Sequence, residues 1–201
     1  MKILLAAAVA ALMFAPTLPA HAAATVGEAA PAFTLTDSKG TSHNLSDFKG
    51  KTVVLEWTNA ECPFVRKHYD SKNMQTLQEE ATGQGVVWLV INSGAEGKQG
   101  HVTGAQAEEI ITRDGFKSTA YLLDGDGTVG HAYGASTTPH MFVINGEGTL
   151  VYAGAIDDNK SADPATIAGA KNYVRAALAD LAAGKPVETA SSQPYGCGVK
   201  Y

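Results

Sequence analysis

The chain is predicted to be an α/β protein, with a central, partly parallel sheet and helices on both of its faces. Three observations predict this. Two apolar runs, Val53-Val54-Leu55 and Val86-Val87-Trp88-Leu89-Val90-Ile91, read as strands covered on both sides, with a helix-patterned segment between them. Asn145-Gly146-Glu147-Gly148, between apolar runs at 141–144 and 149–152, is a strong hairpin signal. A last segment places Ile167, Ala170, Val174, Ala177, Leu178 and Leu181 at helical spacing.

The elements follow in order. Phe33 and Leu35 alternate with polar neighbours between Pro31 and the turn Ser38-Lys39-Gly40, the pattern of an edge strand and hairpin. A short polar turn at 45–51 delivers the strand that begins at Val53. From Pro63 the pattern is helical; it falters at 71–73, resumes with Met74, Leu77 and Ala81 on one face, and ends at Gly83 and Gly85. After the strand at 86–91, residues 92–100 are rich in Gly, Ser and Lys and read as a loop. Thr103 can cap a short helix with Ala107, Ile110 and Ile111 inward. A strand is expected at 119–123, then turns at Gly125, Gly127 and Gly130, then the hairpin. The final helix starts near Asp163-Pro164 and stops at Gly184-Lys185-Pro186.

The chemistry centres on Glu56-Trp57-Thr58-Asn59-Ala60-Glu61-Cys62-Pro63, where a strand breaks into a helix. Proline suits the first helical turn because its missing N–H costs nothing there, so Cys62 stands at a helix N-terminus. Free N–H groups and the positive end of the helix dipole favour thiolate over thiol at that position. Arg66, Lys67 and His68 oppose the dipole unless an anion is nearby, and a thiolate is such an anion. On this reading Arg66 and His68 stabilise the thiolate; the alternative is a solvated basic face beside a structural cysteine.

At 201 residues the chain is long enough for one domain. Residues 1–22 carry a lysine, an apolar run and the ending Ala20-His21-Ala22, the order of a secretory signal. That predicts a periplasmic or secreted protein with no stable membrane span after processing, although a retained anchor is the alternative. Removing Lys2 leaves fourteen basic against twenty acidic side chains, a net charge of about −6 with no basic block, which argues against nucleic acid as a partner. An exported compartment permits disulfides, and the two cysteines, Cys62 and Cys197, allow one.

Gly27-x-x-Ala30-Pro31-x-Phe33-x-Leu35-x-Asp37-x-x-Gly40 resembles the opening motif of the redoxin branch of the thioredoxin fold, which includes the alkyl hydroperoxide reductase and thiol-specific antioxidant proteins. The strand leading to Cys62, Thr138-Pro139 before the strand at 141–144, and Tyr152-x-Gly154-x-Ile156-Asp157 fit the same pattern, so the resemblance spans residues 26–181. It implies a thioredoxin-like fold, a central mixed sheet flanked by helices, with Pro139 cis and beside the active-site cysteine. The departures are equally informative. Thioredoxins carry Cys-x-x-Cys, and here the second position is Val65; peroxide-reducing peroxiredoxins have a threonine where this chain has Asn59, a proline where it has Leu55 and an arginine where it has Pro139. Glu56 matches the buried acid of many thioredoxins. A carboxylate in an apolar strand has its pKa raised by desolvation and can exchange protons with the thiol, unless it points out of a half-exposed strand.

The tail, residues 185–201, follows a redoxin domain at 23–184 and carries the other thiol in Tyr195-Gly196-Cys197-Gly198-Val199-Lys200-Tyr201. The glycines give Cys197 freedom, and the two tyrosines and Val199 can dock the end against the body. A reach of up to roughly 40 Å does not forbid contact with Cys62. A bridge between them closes a loop worth on the order of 4 to 5 kcal/mol in the chain-entropy account. It is either catalytic, with Cys197 resolving Cys62, or a permanent clasp.

The weaker candidates are bland. His43, His101, His131 and His140 are scattered, and no dense Cys/His spacing supports a copper site on Cys62 and Cys197. Asp124-Gly125-Asp126-Gly127 lacks the remaining ligands of a calcium loop and reads as a turn. The reading is therefore an exported thiol-disulfide oxidoreductase without metal or cofactor. Cys62 attacks, Cys197 resolves, Glu56 carries the proton, and Thr138, Pro139, Trp57 and Pro63 contact an extended thiol or disulfide substrate. A separate periplasmic reductant is implied. The alternatives are a thiol peroxidase acting on hydroperoxides and a non-catalytic binding module with a structural disulfide.

Overall fold

The computed structural model describes residues 23–201, and the signal-like segment at 1–22 lies outside them. In chain order the strands are β1 (Thr34–Asp37), β2 (Ser42–Asn44), β3 (Val53–Trp57), β4 (Val87–Asn92), β5 (Ala120–Leu123), β6 (Thr137–Thr138), β7 (His140–Ile144), β8 (Leu150–Gly154) and β9 (Cys197–Gly198). The α-helices are α1 (Pro63–Asp70), α2 (Asn73–Gly83), α3 (Gly104–Asp114), α4 (Thr128–Tyr133) and α5 (Tyr173–Ala182). Seven strands form one mixed sheet in the order β2-β1-β5-β4-β3-β7-β8, while β6 and β9 pair apart from it. The β3–β4 and β4–β5 pairs are parallel and the rest of the sheet is antiparallel. This is the thioredoxin-like α/β architecture.

Parallel pairing requires helical crossovers, and these cover the sheet. Val54 and Val90 face a core shared with Val65 and Tyr69 of α1, Leu77 of α2, Ala107 of α3 and Val174 of α5. Leu55, Trp57, Leu89 and Ile91 face the other way, onto Phe33 and onto Val129 and Tyr133 of α4. The antiparallel register Trp57↔His140 then fixes the site. It brings the residues after Trp57 and those before His140 to the same end of the sheet, which places Cys62 beside Thr138-Pro139.

Three expectations are corrected. The strand at 34–37 is not an edge, because β2 covers one side of it and β5 the other. The glycine-marked stretch after β5 holds a helix, α4: Asp124 accepts hydrogen bonds from Val129 N and Gly130 N at 3.1 and 2.8 Å and so anchors its first turn. Gly130 lies inside that helix because a Cβ there would meet Ser93 Oγ at 2.9 Å and the Tyr201 ring. The last helix is split. Asp163 caps a 3-10 turn at Pro164–Gly169, and Asn172 caps α5 by accepting from Arg175 N at 2.8 Å. By contrast, the break expected at 71–73 is present, with Lys72 at φ 64° separating α1 from α2.

Candidate active site

The loop after β3 is locked by Asn59, whose Oδ1 accepts from Glu61 N at 2.9 Å and whose backbone carbonyl accepts from Cys62 N at 3.0 Å. Its Nδ2 donates to Gln99 Oε1 at 3.1 Å. Cys62 therefore arrives as the N-cap of α1, with Pro63 in the first turn. It is disulfide-bonded to Cys197 across a sequence separation of 135, with the Cα atoms 5.9 Å apart. Cys62 is fully buried, Cys197 is half-buried and Pro63 is exposed.

The sulfur sits against a backbone shelf. Cys62 Sγ lies 3.1 Å from the Thr138 carbonyl oxygen, and the Thr138-Pro139 peptide bond is cis. The tail strand β9 runs antiparallel to β6 on that shelf, with Cys197 opposite Thr138 and Gly198 opposite Thr137. The tail is also held at other points. Ser192 Oγ accepts from Ala155 N at 3.0 Å and lies 2.7 Å from the Tyr152 hydroxyl. Tyr195 is buried, donates to Asp157 and packs edge-on against Phe64. Past Cys197, Val199 N donates to Ser136 O, Lys200 O accepts from Ala95 N, and the Tyr201 hydroxyl donates to Ala135 O while its ring stacks on His131.

Beneath this lies Glu56, with no exposed surface. Its carboxylate accepts from Tyr69 OH (2.8 Å), Trp88 Nε1 (2.8 Å) and Gln78 Nε2 (3.0 Å). Burial pushes its pKa up to about 7 against the pull of those three donors. No hydrogen bond among the described residues joins it to either sulfur.

The basic side chains are placed differently from the expectation. Arg66 is bound to Asp114 at 2.6 Å and to Asp70, so its charge is already paired with two carboxylates. His68 is buried, with Asn73 Nδ2 donating to its Nδ1 at 2.8 Å, and burial pushes its pKa down to about 4. In this oxidised state it is neutral at pH 7. Trp57 is also displaced from the expected substrate surface. Its ring packs on Tyr133 and Phe142 on the far side of the sheet, and its indole N–H donates to Ser93 Oγ at 2.9 Å. What the spacing did not signal is the buried Lys67. Its ammonium reaches Asp157 at 3.4 Å, Asn159 O at 2.8 Å and the Tyr195 hydroxyl at 3.5 Å, tying α1 to the tail.

Among the described residues no group of three or more His, Cys, Asp and Glu is gathered as a metal site. Asp124 is occupied by the α4 turn and Ser93. No helix among them is long and apolar enough to cross a membrane.

The chain is 32% identical over 136 residues to the thiol-disulfide oxidoreductase ResA of Geobacillus kaustophilus, covering 67% of this chain and 72% of that protein. It is 30% identical over 148 residues to ResA of Geobacillus thermodenitrificans, covering 74% and 79%. Among solved structures it is similar to a hypothetical protein from Sinorhizobium meliloti 1021, with a TM-score of 0.75, 27% identity, and coverage of 90% and 96%. The redoxin family model matches residues 25–172, which include Cys62 and the Thr138-Pro139 shelf but stop short of Cys197. A chain with that match over most of its length, and with the site cysteine and the shelf inside it, belongs to the redoxin family.

Proposed function

We propose that this redoxin-family oxidoreductase works as an exported thiol-disulfide oxidoreductase with Cys62 as nucleophile and Cys197 as resolving thiol. The observation that carries it is the bridge itself, which joins a helix N-cap cysteine to a strand lying on the Thr138 shelf. In the oxidised state Cys62 is sealed and Cys197 is half-buried, so an external thiolate attacks Cys197. Cys62 leaves as a thiolate, favoured by the start of α1. A second external thiol then releases Cys197. In the reduced state Cys62 attacks a substrate disulfide, the distal substrate sulfur leaves and takes a proton, and Cys197 attacks the Cys62 sulfur to release the other half. Two protein thiols are oxidised and one substrate disulfide is reduced.

Glu56, neutral or charged near pH 7, is assigned the proton exchange once the tail lifts and admits water. Pro63, exposed beside the sulfur, and Thr138-Pro139 are assigned to substrate contact. Export rests on the signal-like order of residues 1–22. A thiol peroxidase is less well served, because Asn59 spends its side chain on Glu61 and Gln99.

The anchoring of the tail by Tyr195 and Tyr201 favours a second reading, a permanent clasp. One experiment separates the two. Oxidised protein is equilibrated with dithiothreitol and the Cys197→Ser variant is incubated with a disulfide-bonded protein substrate, both followed by mass spectrometry. The exchange reading expects the bridge to open under mild reductant and the variant to accumulate mixed disulfides on Cys62. A bridge that resists reduction, with no adducts on Cys62, establishes the clasp.

A further inference from the structure

The shelf is occupied by the protein's own chain, and the way it is occupied defines what else can take its place. β9 meets β6 through backbone groups that any extended segment can offer. Gly196, one residue before the bridging cysteine, is different. Its φ is +141°, and a Cβ added there would stand 2.7 Å from the Thr138 carbonyl carbon, 3.4 Å from Pro139 N and well inside contact with the Thr138 carbonyl oxygen. That oxygen is the one 3.1 Å from Cys62 Sγ, so it cannot give way without moving against the sulfur. On the other side of the cysteine the shelf is permissive, because a Cβ at Gly198 would come no nearer than 4.0 Å, to Ser136 O. Two residues before the cysteine, Tyr195 fills a slot made by Phe64, Lys67 and Asp157.

We propose that the partner segments exchanging disulfides at this site carry glycine immediately before the reactive cysteine, the tail being an internal copy of such a segment. The inference rests on the reading of Cys62 as the exchange cysteine. A partner bonded to Cys62 must adopt the strand position that Gly196-Cys197 leaves, and the residue preceding its cysteine then faces the Thr138 carbonyl. In the step concerned, the Cys62 thiolate attacks the partner's cysteine sulfur. The Cys62–partner disulfide forms, the partner's own S–S bond breaks, and its second sulfur departs as a thiolate that takes a proton. Return of Cys197 on the tail strand then displaces the partner thiol and the partner's segment together.

The test uses the full-length Cys197→Ser chain, whose tail competes equally with every probe. Three peptides are activated at cysteine as 2-pyridyl disulfides: acetyl-Tyr-Gly-Cys-Gly-Val-amide, the same with Ala before Cys, and the same with Ala after Cys. Release of pyridine-2-thione gives the rate of attack by Cys62, with N-acetylcysteine as the solution control for intrinsic reactivity. The peptide with glycine before cysteine is expected to react about tenfold or more faster than that with alanine there, while alanine after the cysteine changes the rate less than about twofold. Equal rates for the first two peptides overturn the glycine rule while leaving the exchange chemistry standing. A Cys62 inert to all three peptides and to 2,2′-dipyridyl disulfide removes the exchange reading and this inference with it.

Discussion

Glu56 shows how one residue sets a pH dependence. Its folded pKa of about 7 lies above the ordinary 4.5, so between those values the native state holds a proton that the unfolded chain has lost. The stability that goes with the protonated form is present below pH 4.5 and is lost as pH rises through 7, on the order of 3 kcal/mol in all. His68 has the opposite slope, since its folded pKa of about 4 makes stability fall as pH drops from 6.5. Glu56→Gln removes the first slope, so the wild-type-minus-variant difference in urea unfolding free energy is expected to change by about that amount between pH 4.5 and 8. A merely structural acid predicts nothing further. A proton carrier predicts that the variant also loses the inflection near pH 7 in its rate of disulfide exchange, and stopped-flow rates against pH decide between the two.

At the scale of elements, the tail is bound through Tyr195, whose hydroxyl satisfies Asp157 beside a buried ammonium. Tyr195→Phe keeps the ring on Phe64 but leaves Asp157 short of a donor, a cost of about 1 to 3 kcal/mol. The effective concentration of Cys197 at Cys62 is then expected to drop by about tenfold or more, read as an easier reduction of the bridge in dithiothreitol titrations. An unchanged equilibrium would show that the tail is held by the ladder alone. The sequence disclosed these elements unevenly. Strands β3 and β4 were legible because burial on both faces leaves uninterrupted apolar runs, and the α1–α2 break because the apolar period lapses there. The helix α4 was hidden: its glycines answer to Tyr201, a contact from the far end of the chain that no local pattern records. Cys62 and the shelf were readable from proline positions and family motifs. The destinations of Arg66 and His68 were not, because Asp114 and Asp157 reach them only through tertiary packing; only the Arg66–Asp70 pair, one turn along α1, is local.

For the whole molecule, the bridge closes a loop that takes in β4, β5, β7 and β8 of the main sheet, and the chain-entropy account gives it roughly 5 kcal/mol. The Cys62→Ala/Cys197→Ala double variant is expected to lose most of that in urea unfolding relative to the oxidised protein. A loss below about 1 kcal/mol would mean that the unfolded chain without the bridge already retains structure or that the bridge strains the native one. The separation of 135 residues between the two cysteines also has a consequence in time. A ribosome adding about 5 to 20 residues per second takes roughly 7 to 27 s to pass from the first thiol to the second. Throughout that interval the newborn chain presents an unpartnered sulfur, and over its last 59 residues an empty shelf as well, so any factor that captures this protein by its cysteine has its opportunity before synthesis reaches the strand that shuts the door.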